Sequence, residues 1–383
     1  MTSVIGYYTT QFGELWEKSF SDLIEESVDG VLNNSFMDKR EIDAIFFANM
    51  LAGVLENNLH APSKIAEILG VHIPIFRVEA ACASGGVAFH LAKNYLESHP
   101  AKTVLVVGAE KMTDYSPEET TNALASAASG EEQEAGLTFP GLYAMMAQVY
   151  LEKYKYTEEH LAHISYKNHY HGSLNDKAHF RKKITVDQIL RSAYIASPLK
   201  VLDCSPISDG ASAIILSSDK LLIAKANHKA AVLASEVATD TISLKGRKSL
   251  DEIFATRIAA EKAFNHSKLR PKDMKVAEVH DCFSIAEIFA MEDLGFWKKG
   301  SGGKKAKERV TMYGSGNDLI VNTSGGLKAS GHPVGATGIK QIGEVFLQLT
   351  NQAVNRQVKN AKCGLAHNVG GSGGTAVVTI LGN

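Results

Sequence analysis

The chain has 383 residues, 45% of them hydrophobic, and a formal net charge of −2. It can bury a large core and is long for one compact domain, while the balanced charge offers no broad basic surface to nucleic acid or an anionic membrane. Four widely spaced cysteines without a C-x-x-C pair argue against a disulfide framework or zinc site. With no stretch apolar enough to span a bilayer and no secretory, peroxisomal or prenylation signal, the expectation is a reduced cytoplasmic protein.

A first buried strand is expected at residues 44–47. The apolar run 75–81 leads into Cys82, after which Ala83-Ser84-Gly85-Gly86-Val87-Ala88-Phe89 reads as the crowded start of a buried helix. A strand at 103–107 follows. Residues 114–202 are polar by comparison, rich in Tyr and His, with a helical stretch at 142–154, and read as an insertion between strands. Next come Cys204-Ser205-Pro206-Ile207-Ser208-Asp209-Gly210, a strand at 213–216, and a strand at 276–279 that runs into His280-Asp281-Cys282-Phe283. The glycine-rich basic run 298–307 reads as a flexible solvated turn. A strand at 319–321 precedes Gly331-His332-Pro333-Val334-Gly335-Ala336-Thr337-Gly338. His367-Asn368-Val369-Gly370-Gly371-Ser372-Gly373-Gly374 precedes a last strand at 376–380.

The strands are continuously apolar, as strands covered on both faces are, and their alternation with helical patterns implies α/β layers. A faint duplication is visible. Residues 209–216 echo 373–378, residues 42–47 echo 274–279, and the turn at Cys82 echoes the one at Gly325-Gly326.

A lone buried cysteine is most often core filler. Cys82 differs in standing at a strand-to-helix turn, where free N–H groups and the helix dipole favour the reactive thiolate. An imidazole ordinarily titrates near neutral pH, so His332 suits a general base. Pro333 restricts it to an extended backbone.

Together the four segments at Cys82, His280, Gly331 and His367 resemble the thiolases, which make or cleave β-ketoacyl-CoA thioesters. The resemblance covers nearly the whole chain in the family's order. It is closest to the branch of archaeal acetoacetyl-CoA thiolases and sterol-carrier-protein-2-type thiolases, which carries HDCF. The resemblance implies a thiolase fold: two homologous mixed-sheet halves in a five-layer αβαβα arrangement with an inserted loop domain covering CoA. The halves would be 1–113 with 203–235, and 236–383, with the loop domain at 114–202.

It also implies roles. Cys82 would be the acylated nucleophile and His332 its base. Most thiolases take their second base from a cysteine in a C-terminal C-x-G motif. Here Asn368-Val369-Gly370 stands in that place, and Cys282 of HDCF would supply the thiol, with His280 replacing an asparagine used elsewhere. His332 and His280 would form the oxyanion hole for the enolate. The N–H groups of Cys82 and Gly370 would form that for the tetrahedral intermediate. Ser205 matches a pantetheine-contacting serine, or is simply a turn serine. Cys204 and Cys363 read as packing thiols. His169 and His171 suggest a metal only weakly and read as packing of the insertion.

The implied activity is acyl transfer between acetyl-CoA thioesters, namely acetoacetyl-CoA synthesis or its reversal, with no metal or redox cofactor. Rivals are a 3-ketoacyl-CoA thiolase of broader chain length, a β-ketoacyl synthase, which needs no second basic thiol, a steroid side-chain retro-aldolase, which has no use for Cys82, and a non-enzymatic scaffold. Implied partners are acetyl-CoA, CoA and a second copy in a homodimer or homotetramer. The archaeal relatives further suggest a complex with hydroxymethylglutaryl-CoA synthase bridged by a small OB-fold protein.

Overall fold

The computed structural model describes residues 2–383. The chain begins β1 (Ser3–Thr9), α1 (Phe20–Ser35), β2 (Ala44–Ala48), α2 (Ala61–Leu69), β3 (Ile75–Val78), α3 (Ser84–Ser98) and β4 (Thr103–Glu110). The insertion holds α4 (Pro117–Ala125), α5 (Gly130–Glu134), α6 (Phe139–Tyr154), α7 (Glu158–Gly172), α8 (Val186–Arg191) and a small pair, β5 (Tyr194–Ala196) with β6 (Leu199–Lys200). β7 (Gly210–Ser217) and α9 (Lys220–Lys225) close the first half. The second runs β8 (Ala230–Thr239), α10 (Phe254–Ser267), β9 (Val276–Glu278), α11 (Ser284–Asp293), α12 (Gly302–Lys307), β10 (Ile320–Val321), α13 (Gly326–Ser330), α14 (Val334–Leu349), β11 (Cys363–Gly370) and β12 (Thr375–Gly382).

The strands lie in the order β3-β2-β4-β7-β1 in the first half and β10-β9-β11-β12-β8 in the second. Each half is parallel across its first three strands and antiparallel across the rest. The three echoes in the sequence fall on corresponding elements: β7 with β12, β2 with β9, and the turns after β3 and β10. A short β1–β8 pairing, Ser3 with Ala231 and Val4 with Ala230, joins the halves at their edges. β8 crosses residue 235 and pairs along its length with β12.

Five layers result. α1 and α2 cover the outer face of the first sheet, and α10 and α11 that of the second. α3 and α14 fill the middle, where Phe89, Ala92, Ile339, Ile342 and Phe346 pack against Val106 and Ile214 on one side and Ala366 and Leu381 on the other. α14 is buried all round, as a helix between two sheets must be. The two central helices cross with backbones touching: a Cβ on Gly338 would stand 2.3 Å from Gly86 N. That approach brings their N-terminal ends, and with them Cys82 and His332, to one place.

The run 298–307 departs from the sequence reading. It is not a solvated turn: α12 packs with Gly302, Gly303 and Ala306 buried. Gly302 N–H donates to Glu292 Oε1 at 2.7 Å, and Gly300 and Gly303 leave room for the rings of Tyr154 and Tyr156. Its glycines serve tight packing, a use indistinguishable from flexibility in composition.

Candidate active site

Cys82, Cys282, His332 and Ser205 line one cavity of about 350 Å³. Cys82 precedes α3, on a turn where Ala81 takes a left-handed conformation (φ 50°). Ser84 Oγ holds that turn, accepting from Ala80 N–H and donating to Ala81 O. The sulfur is buried, and the Gly371 N–H lies toward it. The helix terminus does not make it a resting thiolate. Burial pushes the thiol up to about 12, with Glu110 and Glu79 adding to the rise and the N–H groups of Gly371 and Cys82 only partly offsetting it.

His332 sits at the mouth of α14, after Gly331 (φ 99°). Its Nδ1 lies 2.7 Å from Thr337 Oγ1, whose proton goes to Pro333 O at 2.9 Å. The hydroxyl therefore accepts from Nδ1–H, which leaves Nε2 as a lone pair. That Nε2 is buried and without a partner. Burial, then Lys340, hold the imidazole down at about 3, so it is neutral, with its lone pair at Nε2.

His280 meets His332 edge to face, ring centroids 5.1 Å apart. Asn368 Nδ2 lies 3.2 Å from its Nδ1 and 3.0 Å from Cys82 O, while Asn368 Oδ1 accepts Gly86 N–H at 3.1 Å. With Nδ1 accepting, the neutral ring carries its proton on Nε2 and is a donor there. Burial keeps the ring neutral, its pKa well below the usual imidazole range.

Cys282 follows β9. Burial, then the Cys82 sulfur, push its thiol well above the ordinary range, and the Tyr143 hydroxyl beside it acts the other way. Tyr143 is buried, packs on Phe283 (centroids 4.7 Å) and donates to Gly371 O at 3.2 Å. Ser205 N–H donates to Cys282 O at 2.9 Å, which ties the pantetheine-candidate segment to the HDCF turn. Gly370 ends β11, with its Cα against Ala80 O. The N–H turned to the Cys82 sulfur is that of Gly371, the next residue.

The remaining sequence candidates separate. Cys363 Sγ donates to Asp273 O at 2.9 Å at the far end of β11. Cys204 lines the cavity, its Sγ donating to Lys200 O. His171 is a packing residue, bridging Asn322 O and Tyr313 N–H. His169 stacks on Phe180 and lines the cavity, so its role is not confined to the insertion.

Sequence reasoning missed Tyr143, Thr337, Lys328 and Glu110. Thr337 lay inside a quoted motif, five residues after His332, within reach on one turn of helix. Glu110 accepts the N–H groups of Met50, Leu51 and Gly335, a buried brace for the start of α14 that nothing local announces.

Two family models match the chain: "Thiolase, N-terminal domain" over residues 2–220 and "Thiolase C-terminal domain-like" over 236–383. An acetyl-CoA acetyltransferase of Methanothermobacter thermautotrophicus is 46% identical over 381 residues, covering 99% of this chain and 98% of its own. One of Methanocaldococcus jannaschii is 44% identical, with the same coverage. Among solved structures, an Ltp2-ChsH2(DUF35) aldolase superposes with a TM-score of 0.84 at 20% identity, over all of this chain and 97% of that one.

Proposed function

Because the chain belongs to the thiolase family and is an acyltransferase, we propose that it condenses two acetyl-CoA into acetoacetyl-CoA and CoA, or runs the reverse thiolysis, through an acetyl-Cys82 intermediate. One observation carries this: Cys82, Cys282 and His332, distant in sequence, wall one cavity. His332 Nε2 takes the Cys82 proton as the sulfur attacks the thioester. The backbone N–H groups of Cys82 and Gly370, with that of Gly371 close by, face the developing oxyanion. The departing CoA thiolate needs a proton, and the Cys282 thiol supplies it.

Cys282, now a thiolate, takes an α-proton from a second acetyl-CoA. The enolate oxygen meets His280 Nε2–H and the protonated His332. The carbanion attacks acetyl-Cys82, the carbon–sulfur bond breaks, and His332 returns its proton to Cys82. Ser205 lies on the path of the pantetheine arm. Protons balance over the cycle, and neither a metal nor a redox cofactor enters.

The acetyl preference is supported by the two archaeal relatives, both of which are acetyl-CoA acetyltransferases. The same reading divides the chain into 1–113 with 203–235, 114–202 and 236–383, with the boundary at 235 moved back to the start of β8 at Ala230, because that strand pairs with β12. β3 is a sheet edge with Phe76 45% exposed, which supports pairing with a second copy. A product-consuming hydroxymethylglutaryl-CoA synthase, held through a small OB-fold protein, would draw the uphill condensation forward. No described helix is long and apolar enough to cross a membrane.

Incubation with acetyl-CoA and peptide mass spectrometry tests the intermediate. Acetyl on Cys82, with acetoacetyl-CoA formed from acetyl-CoA alone, is expected. Turnover by Cys82→Ala would overturn the mechanism. Assays with β-ketoacyl-CoAs of graded length test the acetyl preference, and light scattering on native extract tests the assembly.

A further inference from the structure

The cavity wall holds a group that these steps leave unused. Lys328, on α13, lines the cavity with Cys82, Cys282 and His332. It is 1% exposed, and its Nζ has no hydrogen-bond partner. Burying an unpaired amine is destabilising, so the fold carries Lys328 at a cost. Its position is set by the HDCF turn. Asp281 Oδ1 accepts Leu327 N–H at 2.7 Å, and its Oδ2 accepts Asn168 Nδ2 at 2.7 Å with Lys328 N–H at 3.4 Å. Asp281 thus ties α13 to the segment that carries Cys282.

The titratable groups around Lys328 are Asp203 and Cys204 after β6, Asp281 and Cys282 after β9, and His169 of α7. Cys282 also faces Cys82 at the start of α3 and Tyr143 of α6. Lys328 is the one cation of this set. Burial lowers the Lys328 pKa, and Asp203 and Asp281, themselves satisfied by other donors, act against that through space in favour of the ammonium.

We propose that Lys328 is the ammonium counter-charge of the Cys282 thiolate, a positioning residue that acts through Cys282 in carbon–carbon bond formation. This rests on the thiolase reading of the site. When Cys282 protonates the departing CoA, negative charge appears on a buried sulfur that already faces another sulfur. A fixed ammonium in the wall stabilises that state and not the thiol. When the thiolate takes the acetyl α-proton, the charge passes to the enolate, and Lys328 stays with its two carboxylates.

The test compares wild type, Lys328→Met and Lys328→Arg for exchange of acetyl-CoA α-protons in deuterated solvent across pH, for final acetyl stoichiometry on Cys82, and for thermal midpoint. Lys328→Met is expected to reach full acetylation and to melt no lower than wild type. Its exchange profile should move at least one pH unit alkaline, about a tenfold loss at pH 7. Lys328→Arg, or added ethylammonium with Lys328→Met, should move the profile back. An unshifted profile with only KM raised would make Lys328 a CoA contact. An unshifted profile with a lower midpoint would make it structural. Borohydride trapping of acetoacetyl-CoA on Lys328 would make it a nucleophile. Each of these overturns the proposal. Failure of wild type itself to acetylate Cys82 would instead overturn the thiolase reading.

Discussion

Asn368 Nδ2 stands 3.2 Å from His280 Nδ1 and 3.0 Å from the Cys82 carbonyl, so one side-chain amide sets the tautomer of the enolate donor and steadies the nucleophile's turn. The amide's orientation is fixed from its other end, where Oδ1 accepts Gly86 N–H.

Asn368→Asp replaces the donor to His280 Nδ1 with an acceptor. The imidazole is then expected to carry its proton on Nδ1 and to present a lone pair to the enolate. Condensation should fall about 10²- to 10³-fold, the scale of one lost oxyanion donor, while Cys82 still acquires acetyl. Equal loss in both half-reactions would mean that Asn368 serves only the Cys82 turn.

The two thiols divide the reaction. Cys282→Ala is expected to take the acetyl label on Cys82 but to neither condense nor exchange α-protons. Cys363→Ala should turn over like wild type, because its sulfur is engaged by Asp273 O at the far end of β11. Loss of condensation on removing Cys363 alone would show that the second base has been assigned to the wrong sulfur.

Where the site's geometry rests on side chains inside the quoted motifs, it was legible in the sequence. Cys82, Cys282 and His332 converge as their motifs implied, and the α/β duplication survives as identical strand orders in the halves. What was illegible depends on contacts between distant segments. The dipole argument for Cys82 used only its own helix, and burial outweighs that local term. Asn368 read as the gap left by a missing cysteine because its partners, Gly86 and His280, lie 282 and 88 residues away. β1, β8 and β11 escaped notice because glycines, alanines and polar residues break their apolar runs, although β1 and β11 are largely buried and β8 about half so.

Cys82 and His332 rest as thiol and neutral imidazole, the one pushed up to about 12 and the other held down at about 3. Iodoacetamide alkylation of Cys82 in the free enzyme should therefore rise about tenfold per unit from pH 6 to 9. A plateau near neutrality would indicate a preformed ion pair. Thr337→Val frees the imidazole proton to move to Nε2 and should slow acetylation about 10²-fold, the scale of a general base, with the thermal midpoint little changed.

Stability should fall with acid before the enzyme's surface carboxylates titrate. Burial lowers His169 to about 4, His171, His332 and His367 to about 3, and His280 well below its ordinary value. Below about pH 6.5 these histidines take up protons in the unfolded chain and refuse them in the fold, so their contribution, complete above that value, is lost as pH drops. Burial raises Glu110 and Asp293 to about 7, and Glu278 and Asp281 upward too. These four act oppositely: their folded form gains as pH falls through 7. Partly buried His90, His160, His163 and His179 are lowered as well, less strongly screened from water than the buried five, and tip the balance to the histidines. The thermal midpoint is expected to drop between pH 7 and 5. His171→Gln, which removes one of these protons at a packing position, should make that drop shallower. A midpoint that holds or rises over this range would mean that the carboxylates dominate.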